Sequence, residues 1–373
     1  MVLSEEYIET DSTPQPPLLS AWQKIVLWLV CSLALIPGFH FIRMASLEVS
    51  QYQVSTFESY AREAIADGRY QRAIEFCTGA LKSGVNRSDH HGKVFALRAQ
   101  AYAGMNQLPQ ALTELEAAAA FWTRRYFYAT EEDREESAQF GKTLAQRFLD
   151  TNDAESALRA FSAAAMISGH PVEFLYEMRE TLSPADQERL WGAQGPPWIF
   201  VNDFRNPDAA RMEQVLEEQG RTLLSADQDP IERREGAAAF MLELGAARND
   251  GRSWYSMDTY LPLSQKPFAL RLHIKQEPPI GAAVVLGYWF ESARQSATTL
   301  NQNAVEEKEG WKQYIIERDF YNERLAEANE KGYSVADGFI NKIGISLPSG
   351  PAMRIWVSGV ELYLPAQSDH APQ

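Results

Sequence analysis

The sequence predicts a multidomain α + β chain: a transmembrane helix, then an α-helical repeat array (a solenoid), then an antiparallel β-sandwich. Three observations support this prediction. Residues Ile25–Ile42 form the only long run without an acidic or basic side chain. Between residues 61 and 166, a pattern of two helices joined by a turn occurs three times. After Gly195-Pro196-Pro197, strand patterns replace helical ones.

Length and charge limit the function classes. A chain of 373 residues exceeds one ordinary domain and can form two cores. Its formal net charge of −15 excludes a basic footprint of the kind that nucleic-acid binding needs, so no nucleic-acid partner is expected. Cys31 lies in the apolar run and Cys77 in a helical segment, so we expect no disulfide between them, and the cysteines do not indicate a compartment.

The apolar run Ile25–Ile42 has the length of a membrane span, since its eighteen residues extend about 27 Å as a helix. A cleaved signal peptide usually begins with a short basic region, whereas residues 1–23 are an acidic tail. We therefore predict a permanent anchor at 24–43 that contacts the lipid bilayer through Ile25–Ile42. A cleaved signal peptide, a buried core helix and a lipoprotein acylated at Cys31 are the alternatives.

The repeats at 61–81, 97–121 and 144–166 share a spacing of small residues. In each second helix two alanines lie seven residues apart, which places both on one buried face; they are Ala73 and Ala80, Ala111 and Ala118, and Ala157 and Ala164. This pattern resembles the tetratricopeptide repeat, whose small residue early in the first helix is matched by Ala61, Ala99 and Ala145. The resemblance implies a stack of helical hairpins over 52–190, although the spacing between copies exceeds the usual 34 or so residues.

Stacks of this family form a concave groove lined by the first helix of each repeat. The resemblance places five polar residues there: Arg62, Lys93, Gln100, Lys142 and Gln146. One interpretation is a groove that binds a segment of a partner protein. The alternative is a spacer domain on which these residues are ordinary solvated positions.

The β domain is predicted at 198–366, after a linker at 191–197 and before a disordered tail at 367–373. Strands are expected near 198–204, 237–244, 253–261, 268–275, 282–290, 311–320, 339–347 and 353–364. The segments 208–234 and 321–336 carry helical patterns and many charges, so we interpret them as excursions from the sandwich. In 268–275, Phe268 and Leu270 alternate with Arg271 and His273, which predicts one buried face and one solvated face.

The last strands carry a second resemblance. The stretches GWKQYIIERDF at 310–320, INKIGISLPSG at 340–350 and MRIWVSGVELYL at 353–364 are similar to the closing strands of galactose-binding-like jelly rolls. Carbohydrate-binding modules share that fold, which implies a jelly-roll sandwich here. Where the family often has acidic residues beside a structural calcium, this chain has Ser358 and Gly359. Asp203 alone does not provide the six to eight oxygens that calcium needs, so we predict no metal.

Sugar sites on such sandwiches use aromatic side chains with polar neighbours. The alternation in 253–261 puts Trp254, Asp258 and Tyr260 on one face. We expect this set to join the solvated face of the strand at 268–275, with Trp289 nearby. The predicted ligand-binding patch is thus Trp254, Asp258, Tyr260, Arg271, His273 and Trp289. The alternative is a mixed surface without a ligand, or one covered by another part of the protein.

The sequence contains no arrangement typical of catalysis. It has no G-x-S-x-G elbow, phosphate-binding glycine loop, H-E-x-x-H motif or cysteine pair at metal-ligand spacing. We therefore predict that the protein is not an enzyme and needs no cofactor. A carbohydrate-active enzyme stays a minor alternative, because folding can bring together two carboxylates that are distant in sequence.

The resulting hypothesis is a non-catalytic scaffold or adaptor in a bacterial envelope. It would be a single-pass protein of the inner membrane with the bulk of the chain in the periplasm. The helical repeats would bind proteins of a membrane complex, and the sandwich would bind a glycan. The alternative is a structural accessory subunit of a large membrane complex, in which the sandwich binds protein.

Overall fold

The structure is a computed structural model. It describes residues 54–82, 91–124, 130–192, 197–202, 209–227, 239–248, 253–264, 266–279, 281–291, 294–301, 304–306, 310–317, 330–332 and 338–364. These residues belong to one compact unit that begins at Val54. The predicted anchor at 24–43 lies outside the described residues. Within them, every helix is too short or too polar to cross a bilayer.

The first part of the unit is helical. Helix α1 covers 54–66, and the following helices are α2 (Tyr70–Lys82), α3 (His91–Gly104), α4 (Leu108–Arg124), α5 (Glu131–Asp150), α6 (Ala154–Ser168), α7 (Pro171–Thr181) and α8 (Pro184–Trp191). The pairs α1–α2, α3–α4 and α5–α6 coincide with the three sequence repeats. The six paired alanines of the second helices are all fully buried, as predicted from their spacing.

The three hairpins use the same turn. A residue with left-handed backbone ends each first helix: Gly68 (φ 71°), Asn106 (φ 59°) and Asn152 (φ 64°). The next residue donates its N–H to a carbonyl five positions back, from Arg69 to Ala64, from Gln107 to Tyr102 and from Asp153 to Phe148, at 2.7 to 2.9 Å. This is the Schellman pattern, which favours Gly or Asn at the left-handed position. The repeat therefore extends to the backbone of its turns.

The second part is an antiparallel β-sandwich, so the predicted order of a helical part followed by a β part is confirmed. Its strands are β1 (Trp198–Asn202), β2 (Leu223–Asp227), β3 (Ala239–Leu244), β4 (Ser253–Pro262), β5 (Ala269–Glu277), β6 (Ala283–Phe290), β7 (Gln295–Asn301), β8 (Val305–Glu306), β9 (Trp311–Glu317), β10 (Gly338–Leu347), β11 (Met353–Ser358) and β12 (Val360–Tyr363).

The strands form two sheets. Sheet A has β5 at its centre, with β9 and then β8 on one side. Both β11 and β12 pair with β5 on its other side. Beyond β11 lie β3 and then β2, and beyond β12 lies β1. Sheet B has the order β4-β10-β6-β7. Leu270, Leu272 and Ile274 of sheet A and Ile343 and Ile345 of sheet B are buried in one hydrophobic core.

Two parts of the strand prediction were wrong. The segment 208–234 contains the expected helix, α9 (Ala209–Glu218), but also strand β2, which was not predicted. Strands β7 and β8 were also missed. The sequence of β7, QSATTLN, is mostly polar and lies at the edge of sheet B, so it lacks the apolar alternation on which the prediction depended. Most of the predicted excursion at 321–336 lies outside the described residues.

The helices cover one side of the sandwich. Helices α6 and α7 contact β1, an edge strand of sheet A, and α4 contacts β4, an edge strand of sheet B. The N–H of Phe200 in β1 donates to the hydroxyl of Ser162 in α6 at 3.0 Å. The indole N–H of Trp191 donates to the carbonyl of Trp198 at 2.9 Å. Covering an edge in this way blocks its pairing with another chain, and it joins both parts into one core.

A β-bulge separates β11 from β12. Val357 pairs with Ile274 and Glu361 with Arg271. Between these pairs, the segment that joins β11 to β12 has one residue more than β5, which defines the bulge. The N–H of His273 opposite the bulge donates to the hydroxyl of Ser358 at 2.7 Å. The pair Ser358 and Gly359, which replaces the acidic residues of the resembling family, is thus the position of this bulge.

Candidate functional site

The structure separates the predicted ligand-binding patch into two groups on different sheets. Trp254, Asp258 and Tyr260 lie on β4 and Trp289 on β6, which belong to sheet B. Arg271 and His273 lie on β5 at the centre of sheet A. The sequence predicted them on the same face as the first group only because both strands alternate. The prediction of one joint face was therefore wrong. A strand's alternation defines its two faces, but not the sheet to which it belongs.

On sheet B, the outer face holds an aromatic contact at one end. The rings of Tyr260 and Phe339 lie 4.5 Å apart, and Phe339 is paired in register with Trp289. Trp254, near the other end of β4, is 45% exposed. Asp258 pairs in register with Lys342, and its side chain lies outside the described part of the structure.

The middle of this outer face is only partly open to solvent. Ala283 and Val285 of β6 and Gly344 and Ser346 of β10 face away from the shared core, yet all four are buried. Ser256 of β4 and Lys342 of β10 are exposed on the same face, between Trp254 and the aromatic contact of Tyr260. Sheet B thus carries aromatic side chains at the two ends of a face that has both buried and exposed positions.

On sheet A, Arg271 has a structural environment. Its guanidinium Nε contacts the buried carboxylate of Glu361, and its Cζ lies 5.6 Å from the ring centre of Trp198 and 5.3 Å from that of Tyr363. A cation between two aromatic rings and an acid is well satisfied. Trp198 and Tyr363 are buried in the core that includes α6. Arg271 thus stabilises the covered end of the sheet.

His273 is only 7% exposed, so the expectation of a solvated face along all of β5 was wrong at this position. Its Nε2 lies 3.1 Å from the amide nitrogen Nε2 of Gln313 on β9. Ala269, on the same face, is also fully buried. The outer face of sheet A is therefore covered toward β1 and becomes open only beyond His273.

The open half of this face carries a row of three side chains across the sheet. Lys275 of β5 pairs in register with Trp356 of β11 on one side and with Trp311 of β9 on the other. Directly opposite residues point to the same face. All three side chains are partly exposed, and the ammonium of Lys275 lies 5.3 Å from the ring centre of Trp356. We call Trp311, Lys275 and Trp356 the tryptophan row.

Polar groups surround the tryptophan row. Gln313 follows Trp311 on the same face, beside His273. On the other side, Glu277 lies 3.5 Å from the ammonium of Lys275. With neighbouring strands about 4.8 Å apart, the backbones that carry the two tryptophans are about 10 Å apart. The arrangement offers flat apolar surfaces with hydrogen-bonding groups at their margin, as in sites that bind amphipathic ligands.

Sequence reasoning missed the tryptophan row, although both tryptophans lie in the stretches that carry the jelly-roll resemblance. Alternation alone could have found Trp356, because it separates the apolar Ile355 and Val357. Trp311 is three residues before the buried Tyr314, so alternation places the two side chains on opposite faces of their strand. The missing information was the pairing of both strands with β5, which makes the two tryptophans neighbours of the same lysine.

In the helical part, the predicted groove residues Arg62 and Lys93 belong to an ionic network that joins α1, α3 and α5. Arg62 lies 2.7 Å from Glu136 and 3.6 Å from Asp133, and Lys93 lies 2.5 Å from Asp133. Glu58 on α1 contacts both cations, at 3.4 and 3.9 Å. The two cations are thus occupied by acidic side chains of the stack itself.

Two pKa values in this network depart from their ordinary range. Burial would raise the pKa of Asp133, but hydrogen bonds from Lys93 and Thr130 and the charges of Lys93 and Arg62 more than offset it, so its pKa is lowered. Burial would lower the pKa of Arg62, yet the hydrogen bonds and charges of Glu136 and Glu58 raise it. Both shifts favour the charged forms.

The other predicted groove residues lie further along the stack. The ammonium of Lys142 lies 2.6 Å from Glu177 and 4.8 Å from the ring centre of Phe174, which ties α5 to α7. Gln146 donates to Asp150 at 3.1 Å on the same helix. Gln100 on α3 is partly exposed. These residues lie on α3 and α5, the first helices of the second and third hairpins.

For metals, the described ranges contain no group of three or more His, Cys, Asp or Glu side chains arranged to hold an ion. Asp203, considered at the sequence level, lies outside those ranges.

Comparison with known proteins gives distant structural likenesses. No family model matches the chain, and no curated protein matches it. A family 11 carbohydrate-binding module of a cellulosomal cellulase from Clostridium thermocellum is similar over 48% of this chain and 100% of the module, with 7% identity and a TM-score of 0.27. A family 30 module (16% identity, 40% of this chain and 78% of the module, TM-score 0.27) is also similar. So is a family 61 module in complex with β-1,4-galactotriose (11%, 44% and 99%, TM-score 0.23).

Proposed function

We propose that this chain is a non-catalytic binding protein whose β-sandwich holds a glycan at the tryptophan row. The observation that carries the proposal is the register of Trp311, Lys275 and Trp356 on the one open half of sheet A. A pyranose ring has an apolar face of C–H groups and a margin of hydroxyls. Tryptophan packs against the first, while Gln313 and the charged groups beside the row suit the second.

A retardation assay tests this proposal. The full chain in mild detergent is run in native gels that contain one neutral or acidic polysaccharide each, and its mobility is compared with a gel without polysaccharide. We expect at least one polysaccharide to retard the protein and Trp356→Ala to abolish the retardation. Trp254→Ala is the matched control, because Trp254 is the more exposed tryptophan but lies on sheet B.

Two results would count against a glycan site at this row. The first is unchanged mobility in every polysaccharide. The second is a loss of retardation in Trp254→Ala while Trp356→Ala behaves like the unmodified chain, which would transfer the site to the patch predicted from the sequence.

For the helical part, we propose a tetratricopeptide-like stack that binds a partner protein, which makes the chain a scaffold. The identical turns and buried alanine pairs of the three hairpins support this reading. Gln100, Lys142 and Gln146 are partly exposed and are the predicted groove positions that lie outside the ionic network of Arg62 and Lys93. Affinity purification in mild detergent should recover partners in stoichiometric amounts from the Trp356→Ala variant as well. Recovery of the chain alone would argue against the scaffold.

We further propose that Ile25–Ile42 anchors the chain in the inner membrane of a bacterium, with the bulk of the chain in the periplasm and its partners in a membrane complex. The length and hydropathy of that run support the anchor. A topology reporter fused after Gln373 tests the orientation. A periplasmic signal is expected, and a cytoplasmic signal would contradict both the orientation and access to envelope glycans.

A further inference from the structure

The first helical hairpin does not belong to the main hydrophobic core. In the described part of the chain, that core extends from α3 through α8 and both sheets. Helices α1 and α2 pack against α3 through two smaller clusters, one around Val54, Ala61 and Cys77 and one around Ala64 and Ala73. The attachment of α1 and α2 is therefore separate from the packing of the rest.

Helix α3 divides these two regions. One set of its side chains, Val94, Leu97 and Ala101, packs on the hairpin. The alternate set, Ala96, Ala99 and Ala103, packs in the main core. These two clusters contain far fewer buried side chains than the main core, so the apolar area that fixes the hairpin is limited. Segments with few buried apolar contacts open at lower free energy than the core.

The ionic network connects the hairpin to α5, whose described side chains do not belong to either of the two smaller apolar clusters. Arg62 of α1 contacts Glu136 and Asp133 of α5. Lys93 of α3 contacts the same Asp133 and also Glu58 of α1. The side chains of Asp133, Glu58 and Lys93 are 10, 12 and 19% exposed, so solvent screens them less than surface pairs.

We propose that the α1–α2 hairpin opens as a unit from the rest of the stack, and that the ionic network of Arg62, Lys93, Glu58, Asp133 and Glu136 controls how often it opens. Opening separates the hairpin from Val94, Leu97 and Ala101 of α3 and leaves the main core intact. It is a conformational device of the helical part, independent of the glycan site.

Cys77 is a natural reporter of this opening. It lies in α2, is 1% exposed and belongs to the cluster between the hairpin and α3. Burial raises the pKa of its thiol to about 12, so the closed hairpin protects it from alkylation. The rate of alkylation therefore measures the open fraction when closing is fast.

The test measures alkylation of Cys77 in the full chain in mild detergent, using peptide mass spectrometry so that Cys31 is read separately. Arg62→Met removes the charge but keeps an apolar side chain of comparable length. We expect it to raise the rate of Cys77 alkylation about three- to tenfold, the effect of losing about 0.7 to 1.4 kcal/mol. In the unmodified chain, raising NaCl from about 0.01 to about 1 M should also raise the rate. In Arg62→Met, we expect salt to have a much smaller effect.

Arg159→Met is the matched control. Arg159 makes a bidentate pair with Glu116, at 2.8 and 2.7 Å, which ties α6 to α4 inside the region of the main core. This variant should leave the alkylation of Cys77 unchanged. The proposal is overturned by an unchanged rate in both Arg62→Met and high salt. An equal increase in Arg159→Met would also overturn it, since that result indicates opening of the whole stack.

Discussion

Ser162→Ala tests whether the helices and the sandwich form one cooperative core. The Ser162 hydroxyl, 5% exposed, accepts the Phe200 N–H at 3.0 Å and donates to the Leu158 carbonyl at 2.8 Å. Alanine leaves the Phe200 N–H buried on the edge of β1 without its acceptor. Such a group costs about 1 to 3 kcal/mol. The free energy of unfolding should fall by about 2 kcal/mol.

Urea unfolding measures the effect, with tryptophan fluorescence to follow the sandwich and circular dichroism at a helical wavelength to follow the stack. If the denaturant slope is about 2 kcal/mol per molar, a loss of about 2 kcal/mol lowers the midpoint by about 1 M. Both signals should shift together, because Ser162 and Phe200 belong to the two parts of one core. The slope should not change.

Thr143→Ala is the control for this experiment. The hydroxyl of Thr143 makes the same kind of helical contact, to the carbonyl of Gln139 at 3.1 Å, but at an exposed position. We expect its midpoint to change by the equivalent of about 0.5 kcal/mol or less. A Ser162→Ala midpoint equal to that of Thr143→Ala would refute the reasoning. Separate transitions of the two signals in the unmodified chain would refute the shared core.

Two further predictions concern stability. The pKa of Asp133 is lower in the folded state, so the stability that its charge contributes is present above its unfolded pKa, near 3.8, and is lost as pH falls through the lower folded value. Asp133→Asn should therefore flatten the pH dependence of the unfolding midpoint below about pH 4. An unchanged pH dependence would contradict this. Gly344→Ala should unfold far more easily, since its Cβ would lie 2.2 Å from the Tyr255 carbonyl oxygen. Gly79→Ala in α2 makes only contacts of 3.6 Å or more and should be neutral or stabilising by about 0.5 to 1 kcal/mol. Equal unfolding midpoints of the two variants would contradict the packing.

Much of the helical part could be predicted from the sequence because its signals are local. The alanines seven residues apart define the buried face of each second helix within the helix itself. Gly68 is a local sequence signal for the turn of the first hairpin, whereas Asn106 and Asn152 in the equivalent turns are weaker signals for left-handed backbone. The ionic network was not predictable, since Arg62 and Glu136 are distant in sequence.

The candidate site could be predicted only in part because it depends on strand pairing. Alternation correctly separated Leu272 from Arg271, but it did not show that helices cover the end of sheet A where Arg271 lies. It also did not show that Trp254 belongs to the other sheet. Register is a property of two strands together. The tryptophan row therefore became visible only when β9 and β11 were placed on either side of β5.

Calorimetric titration of a polysaccharide fragment that retards the protein is the most direct test of the glycan site. The full chain is compared with Trp311→Ala, Trp356→Ala and the control Trp254→Ala. If the tryptophan row is the binding surface, both row variants should lose affinity about tenfold or more, while Trp254→Ala keeps the affinity of the unmodified chain. Unchanged affinity in both row variants would contradict the central claim.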